Sequence, residues 1–392
     1  MKIGIISAGI GGLAAAALLA DRDHAVRALE RFAIPRPIGS GLVIQPLGPA
    51  VPDRIGVGAQ ARSLGTPLTA MLGHAGFRAV RDVAYHPDAP GPGIHRGALF
   101  HILWQAVRDR QIPVITDAWG RAAPLHGPQR LIETETDTHG PYDLIIDASG
   151  ASSALSPQRA RPVGFGAIWG RVPRPADTPL RPDRLTQRYH RASRKAGILP
   201  IGRLPDSDTP LAALFWSLPA DQLNPWPNSD FDGWRATARS FWPDLAPVLD
   251  ALPGLHAMSA ARYSHGTLRR PYAPALAFIG DATHRARPQL GQGANMALPD
   301  AMALTTDAPL PRYARMRRGH LRSYQAMSAL LTPMYQYDRR TLPSLRDHLL
   351  APLGRLPPVR VAPTRPVSGD LLPPLASSIF PSSASFPPQP VP

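Results

Sequence analysis

Two stretches of this 392-residue chain carry residue types spaced for chemistry. The first is Ser7-Ala8-Gly9-Ile10-Gly11-Gly12, where Ser7-x-Gly9-x-x-Gly12 follows the glycine fingerprint of a dinucleotide-binding turn with only the first glycine replaced. Glycines at that spacing allow a tight turn, close approach of a pyrophosphate, and close packing of the next helix on its strand. Glu30, followed by Arg31, lies about twenty residues beyond the turn, where a carboxylate can bond ribose hydroxyls. The second stretch is "AFIGDATHRARPQLGQGANMAL", residues 277–298, with Asp281 behind an apolar run and Gly291 and Gly293 ahead of a helical pattern.

Such groups need strands and helix ends to hold them. Lys2 to Ile6 predict a buried strand, Ser7 to Gly12 the turn and Leu13 to Ala20 the first helix, while "HAVRALERF" predicts a second strand ending at Glu30. A helix is expected over Gly97 to Arg110, and strands at "IPVIT" and "PYDLIIDASG". That alternation predicts a parallel sheet with inserted antiparallel strands. Between about residues 160 and 270, the short runs "GFGAIWGRV", "GILPIG" and "LAALFWSL" predict a mostly antiparallel sheet, with a helix near Phe231 to Trp242. The expected class is α/β with an α+β insertion. A discontinuous Rossmann-like domain (1–160 plus 265–310) surrounds a sheet domain (161–264), followed by a C-terminal helical region (311–355) and a tail (356–392).

Composition narrows the function classes. The N-terminal apolar run, with one lysine and small residues near Ala17 to Ala20, also fits an export signal, but Gly9, Gly11 and Gly12 interrupt it. Each glycine costs about 1 kcal/mol relative to alanine in a helix interior. No apolar run reaches the roughly 18 to 20 residues of a membrane span. The expectation is a cytoplasmic protein that is soluble or at most peripheral to a membrane. With no cysteine and no histidines at ligand spacing, no metal site is expected. The formal charge of +15 is nearly all arginine, spread along the chain, with lysine only at Lys2 and Lys195. That distribution reads as codon bias and not as a nucleic-acid patch. From Pro357 onward, eleven prolines and six serines with little charge predict a disordered tail.

Residues 277–298 resemble the second flavin motif of the class A flavoprotein monooxygenases, the family of para-hydroxybenzoate hydroxylase. "AGIGGLAAAALL" with Glu30 and Arg31, the helix start "GIHRGALFHIL", and the order of segments over residues 1 to 355 are similar to that family too. The resemblance implies that the discontinuous domain binds FAD. It implies reduction by NADH or NADPH, and transfer of oxygen from O2, through a flavin C4a-hydroperoxide, to an aromatic or other electron-rich small molecule. Asp281 is then the ligand of the ribityl chain and Arg96 approaches the diphosphate. Gly291, Gln292, Gly293, Ala294 and Asn295 contact the flavin ring, and Pro288 stiffens the flavin loop and is the one residue put forward near the reacting centre. Residues Ser7 to Gly12, Glu30 and Arg31 complete the cofactor site. A helix beginning near Ala294 would favour an anionic reduced flavin by roughly 0.3 to 2 kcal/mol. Substrate is expected between the sheet and the flavin, with Tyr189, Trp216 and Tyr263 as lining candidates. No side chain is assigned as nucleophile, acid or base, and the oligomeric state is left open.

Three departures bear on activity. In "IIDASGASSAL", Ser149 stands where the family carries aspartate and Ser152 where it carries arginine, with Gly150 and Ser153 retained. A serine cannot replace a bidentate guanidinium on a phosphate. Pro299 falls inside the helix expected from Ala294, where a proline costs about 3 kcal/mol and predicts a kink or an end. A flavin dehydrogenase, reductase or halogenase-like enzyme, or a non-catalytic flavin-binding paralogue, is therefore carried beside the hydroxylase.

Overall fold

The computed structural model describes residues 1–335 apart from 38, 46–47, 77, 86–90, 191–192, 286–292 and 306–308. Its first layer is built as the alternation of segments requires. Strand β1 (Lys2–Ile6) leads into helix α1 (Ile10–Ala20) and β2 (Ala25–Leu29). Then come α2 (Arg96–Asp109), β3 (Val114–Ile115), β4 (Leu144–Asp147), β5 (Tyr272–Ala273), β6 (Leu276–Phe278), α3 (Gly293–Leu304) and α4 (Leu310–Tyr335). The sheet order is β5-β6-β4-β1-β2-β3. Its strands are parallel, in registers such as Ile5 with Ile146, Ile5 with Ala28 and Ile146 with Ala277, except for β5, which is antiparallel to β6.

The apolar content of β1 and β4 follows from burial on both faces, which parallel sheets impose. Helix α1 is apolar almost all round because it packs against both α2 and α3, and Leu13 through Ala17 have no exposed surface. Burial of this kind stabilises by roughly 25 cal/mol per Å² of apolar surface.

The second layer is a seven-stranded sheet. Phe165–Pro173, Leu211–Pro219, Arg194–Pro200 and Arg184–His190 are successive antiparallel neighbours, and Met258–Ala261 adds at one edge. Its other edge corrects the expected domain boundary. Ala70–Ala75 pairs parallel with Arg184–His190, and Arg78–Ala84 pairs antiparallel with Ala70–Ala75, so part of residues 1–160 belongs to this sheet. The polar, glycine-bearing sequence there hid strands at and next to a sheet edge, where little apolar surface is needed. One face of the sheet buries Ile168, Ala196, Leu214 and Trp216 under the helix Phe231–Phe241 and its neighbours. The opposite face puts Leu185, Leu199 and Ala213 against Met296 of α3 and Leu321 and Tyr324 of α4.

Helix α3 runs through Pro299 instead of ending there. Its residues Ala294 to Ala303 are all buried, and packing on every side outweighs the one hydrogen bond a proline removes. Residues 356–392, with the expected tail, lie outside the described residues, as does the helical region beyond Tyr335.

Candidate active site

The turn after β1 is held by a residue type that resists its conformation. Ser7 has a φ of 85°, in the left-handed region that favours glycine. Its N–H donates to Leu29 O at 2.7 Å, which fixes the turn against the end of β2. The buried Glu30 then braces the turn from below. Its Oε2 accepts from Ala8 N at 2.8 Å and from Ser7 Oγ at 3.4 Å, and its Oε1 accepts from Phe32 N at 3.1 Å.

Close packing explains Gly12 and Gly11. A Cβ on Gly12 would stand 2.0 Å from Ser7 O, so no side chain fits between turn and helix. Ala297 of α3 lies 3.1 Å from where a Cβ of Gly11 would be and 3.1 Å from that of Gly280. One methyl group on α3 thus sets the spacing of both glycine turns.

These turns open onto a cleft of about 370 Å³ at the carboxyl ends of the parallel strands. Such a crevice is where open α/β sheets bind ligands. Ser7, Ala8, Gly9, Ile10, Gly11, Glu30, Arg31, Arg96, Asp281, Gly293 and Ala294 all line it. Gly12 lies behind the turn, in the packing role just described. Arg96 is the first residue of α2, and the preceding His95 caps that helix, its Nδ1 accepting from Gly97 N at 2.9 Å. Burial lowers the Arg96 guanidinium from its ordinary value, while Asp281 pulls it the other way. Burial pushes the Asp281 carboxyl up, against the pull of His284, Arg96 and Arg285. The amino end of α3 reaches the cleft at Gly293 and Ala294, adding the positive end of a helix dipole.

The turn after β4 forms another wall. Asp147 is fully buried, and it accepts from Ser149 N at 2.9 Å and from the hydroxyls of Ser149 and Ser153. Burial raises its carboxyl, and these hydrogen bonds oppose the rise. Gly150 adopts a φ of 73° at the crest of the turn. Arg31 Nη1 donates to Ser152 Oγ at 3.2 Å, so a guanidinium stands beside the position where one was missed in the sequence.

Not every expected residue reaches the cleft. Asn295 turns away: its Oδ1 accepts from Gln45 N at 2.8 Å and its Nδ2 donates to Val43 O at 2.7 Å, which ties α3 to the strand Gly41–Val43. Pro288, Gly291 and Gln292 lie outside the described residues. Trp216 belongs to the core under the helix Phe231–Phe241, on the sheet face opposite the one that meets α3. Tyr189 alternates with Leu185 on the face toward α3. Tyr263 accepts from Trp169 Nε1 at 3.0 Å, and burial raises its hydroxyl to about 12.

A cluster of charge beneath the cleft is absent from the sequence reading. Asp300 of α3 bonds Gly280 N, His284 and Arg317, all buried. Its one sequence signal is a lone aspartate inside the apolar run "NMALPDAMAL", since a charge buried there must be paired.

No protein-family model matches the chain. It is 27% identical over 374 residues to the 2-heptyl-3-hydroxy-4(1H)-quinolone synthase of Mycobacteroides abscessus, covering 90% of this chain and 94% of that one. It is 26% identical over 356 residues to the FAD-dependent urate hydroxylase of Klebsiella pneumoniae, covering 83% and 85%. Among solved structures, Klebsiella pneumoniae HpxO complexed with FAD and uric acid matches with a TM-score of 0.79 at 18% identity, over 94% of this chain and 97% of that one.

Proposed function

We propose that this relative of the class A flavoprotein monooxygenases binds FAD in the cleft and uses NADH or NADPH and O2 to hydroxylate a small aromatic molecule. The observation that carries the reading is convergence: Glu30, Arg96, Asp281 and the amino end of α3, from four separated segments, all line one cleft floored by glycine turns. The donor set fits the cofactor. Carboxylates at Glu30 and Asp281 suit the hydroxyls of ribose and ribityl, and Arg96 with the first turn's N–H groups suits a diphosphate.

Activation of O2 with electrons from a nicotinamide is the chemistry FAD supplies when bound. The chain's own work is to bind, orient and exclude water. The Ser7 to Gly12 turn offers N–H groups to phosphate. Gly293 and Ala294 present a positive helix end to negative charge. The sheet face bearing Tyr189 and Phe215 also carries the buried Lys195, whose Nζ lies 5.7 Å and 4.9 Å from their ring centroids. The names of two relatives carry nitrogen heterocycles, a quinolone that one makes and urate that the other hydroxylates, so an electron-rich nitrogen heteroaromatic is the substrate class to test first.

Purified protein should carry flavin absorbance, oxidise NADH or NADPH, and form hydroxylated product with a member of that class. A protein that stays colourless after incubation with FAD refutes the reading. Nicotinamide oxidation with no oxygenated product from any substrate would instead place it among flavin dehydrogenases or reductases, an outcome the Ser149 turn permits.

A further inference from the structure

Asp300 is fully buried on α3 and lines no part of the cleft. Its Oδ2 accepts from Gly280 N at 2.9 Å and bonds His284 Nε2 at 2.5 Å. Those partners are the residue before Asp281 and the third residue after it. One oxygen therefore ties both ends of the turn that carries Asp281. Gly280 has a φ of 59°, a backbone state the bond to Asp300 helps to hold. The other oxygen, Oδ1, accepts from Arg317 Nε of α4 at 2.6 Å. Arg317 in turn donates to Met296 O at 3.3 Å and sits 3.1 Å from His320 Nδ1. His284 and Arg317 are 1% and 2% exposed, so no water competes for these bonds.

A buried ion pair is a poor device for simple cohesion, because apolar side chains of similar volume often stabilise as well or better. Apolar residues would hold α3 to α4. They would not accept the Gly280 N–H or anchor His284. Burial works to raise the Asp300 carboxyl, but His284, Arg317 and the bond from Gly280 outweigh it and hold it at about 2, so it stays a full acceptor at neutral pH.

We propose that Asp300, buried between His284 and Arg317, is a positioning residue for the cofactor site: it sets the turn from Gly280 to His284 and so fixes where Asp281 presents its carboxylate. The inference rests on reading the cleft as an FAD site. Three full-length variants test it, with the Kd of the apoprotein for FAD from flavin fluorescence and the apoprotein Tm as paired readouts. Asp300→Asn is expected to raise the Kd roughly tenfold to a hundredfold, the scale on which outer partners of a bound group act. His284→Gln, which leaves Asp300 and Arg317 paired, is expected to raise it several-fold with little change in Tm. The double variant Asp300→Leu/Arg317→Met removes both charges, and is expected to recover the Tm lost in Asp300→Asn while the Kd stays at least about tenfold weaker and the bound flavin's absorption band shifts. Recovery of both Tm and Kd in the double variant overturns the inference, as does an unchanged Kd in His284→Gln. Wild-type apoprotein that takes up no FAD overturns the FAD reading itself, whereas tight wild-type binding with indistinguishable variants overturns only the positioning role.

Discussion

At the scale of single residues, Ser7 and Glu30 do different work from what their types suggest. Ser7 holds a left-handed backbone conformation that costs an L-residue about 1 to 2 kcal/mol. Ser7→Gly should therefore raise stability by about 1 kcal/mol, seen as a higher Tm, because the 3.4 Å contact it gives up to Glu30 is weak. A lower Tm would mean that the serine hydroxyl matters more than the strain. Glu30 both lines the cleft and bonds two backbone N–H groups, so Glu30→Ala should weaken FAD retention and also destabilise the apoprotein by about 1 to 3 kcal/mol. Asp281→Ala should also weaken FAD retention, and it removes the carboxylate that offsets the burial of the Arg96 guanidinium. Equal flavin content in wild type and both variants would contradict the placement of the site.

At the scale of elements, the helix cap at His95 couples the two layers. Its Nδ1 caps α2, and its Nε2 sits 3.3 Å from Arg171 Nη1 on the seven-stranded sheet. Burial first, and the Arg171 charge second, lower the ring's pKa to about 4. A histidine depressed from 6.5 to about 4 in the folded state contributes stability that is whole above pH 6.5 and is lost progressively as pH falls from there to about 4. His95→Asn retains a capping oxygen but no titratable ring, so urea unfolding should show a smaller drop from pH 7 to pH 5 than in wild type. Parallel loss in the two proteins would show that the acid sensitivity comes from elsewhere. His320, lowered to about 3 by burial and Arg317, extends the same acid limb to lower pH.

At the scale of the whole molecule, backbone meets backbone where the strand Gly91–His95, paired with Gly41–Val43 and Thr66–Leu68, crosses the seven-stranded sheet at Pro200. A Cβ on Gly93 would stand 2.2 Å from Pro200 O, with no flexible side chain to yield. Gly93→Ala is expected to destabilise by about 1 to 3 kcal/mol, and to lower substrate turnover more than FAD affinity, because the cleft lies within the first layer alone. A normal Tm and normal turnover in this variant would show that the crossing is compliant. Among the described residues no helix is long and apolar enough to cross a membrane.

Much of the first layer is legible in the residues themselves. β1, the glycine turn, β2 and the strand into Asp147 follow from short apolar runs punctuated by glycine and acid, and those signals act over a few neighbouring positions. The placement of Glu30, Arg96 and Asp281 is readable for the same reason, each lying beside a strand end or a helix start. Only the tertiary structure decided what depends on contacts between distant segments. Pairing with Arg184–His190 made a strand of Ala70–Ala75, and strand alternation sent Trp216 to the far face of the sheet. The 250-residue separation between Gln45 and Asn295 took the asparagine out of the cleft. Burial of Asp300 turned an unremarked aspartate into the clasp of the Asp281 turn, since a charge's worth is set by the depth and partners that folding gives it.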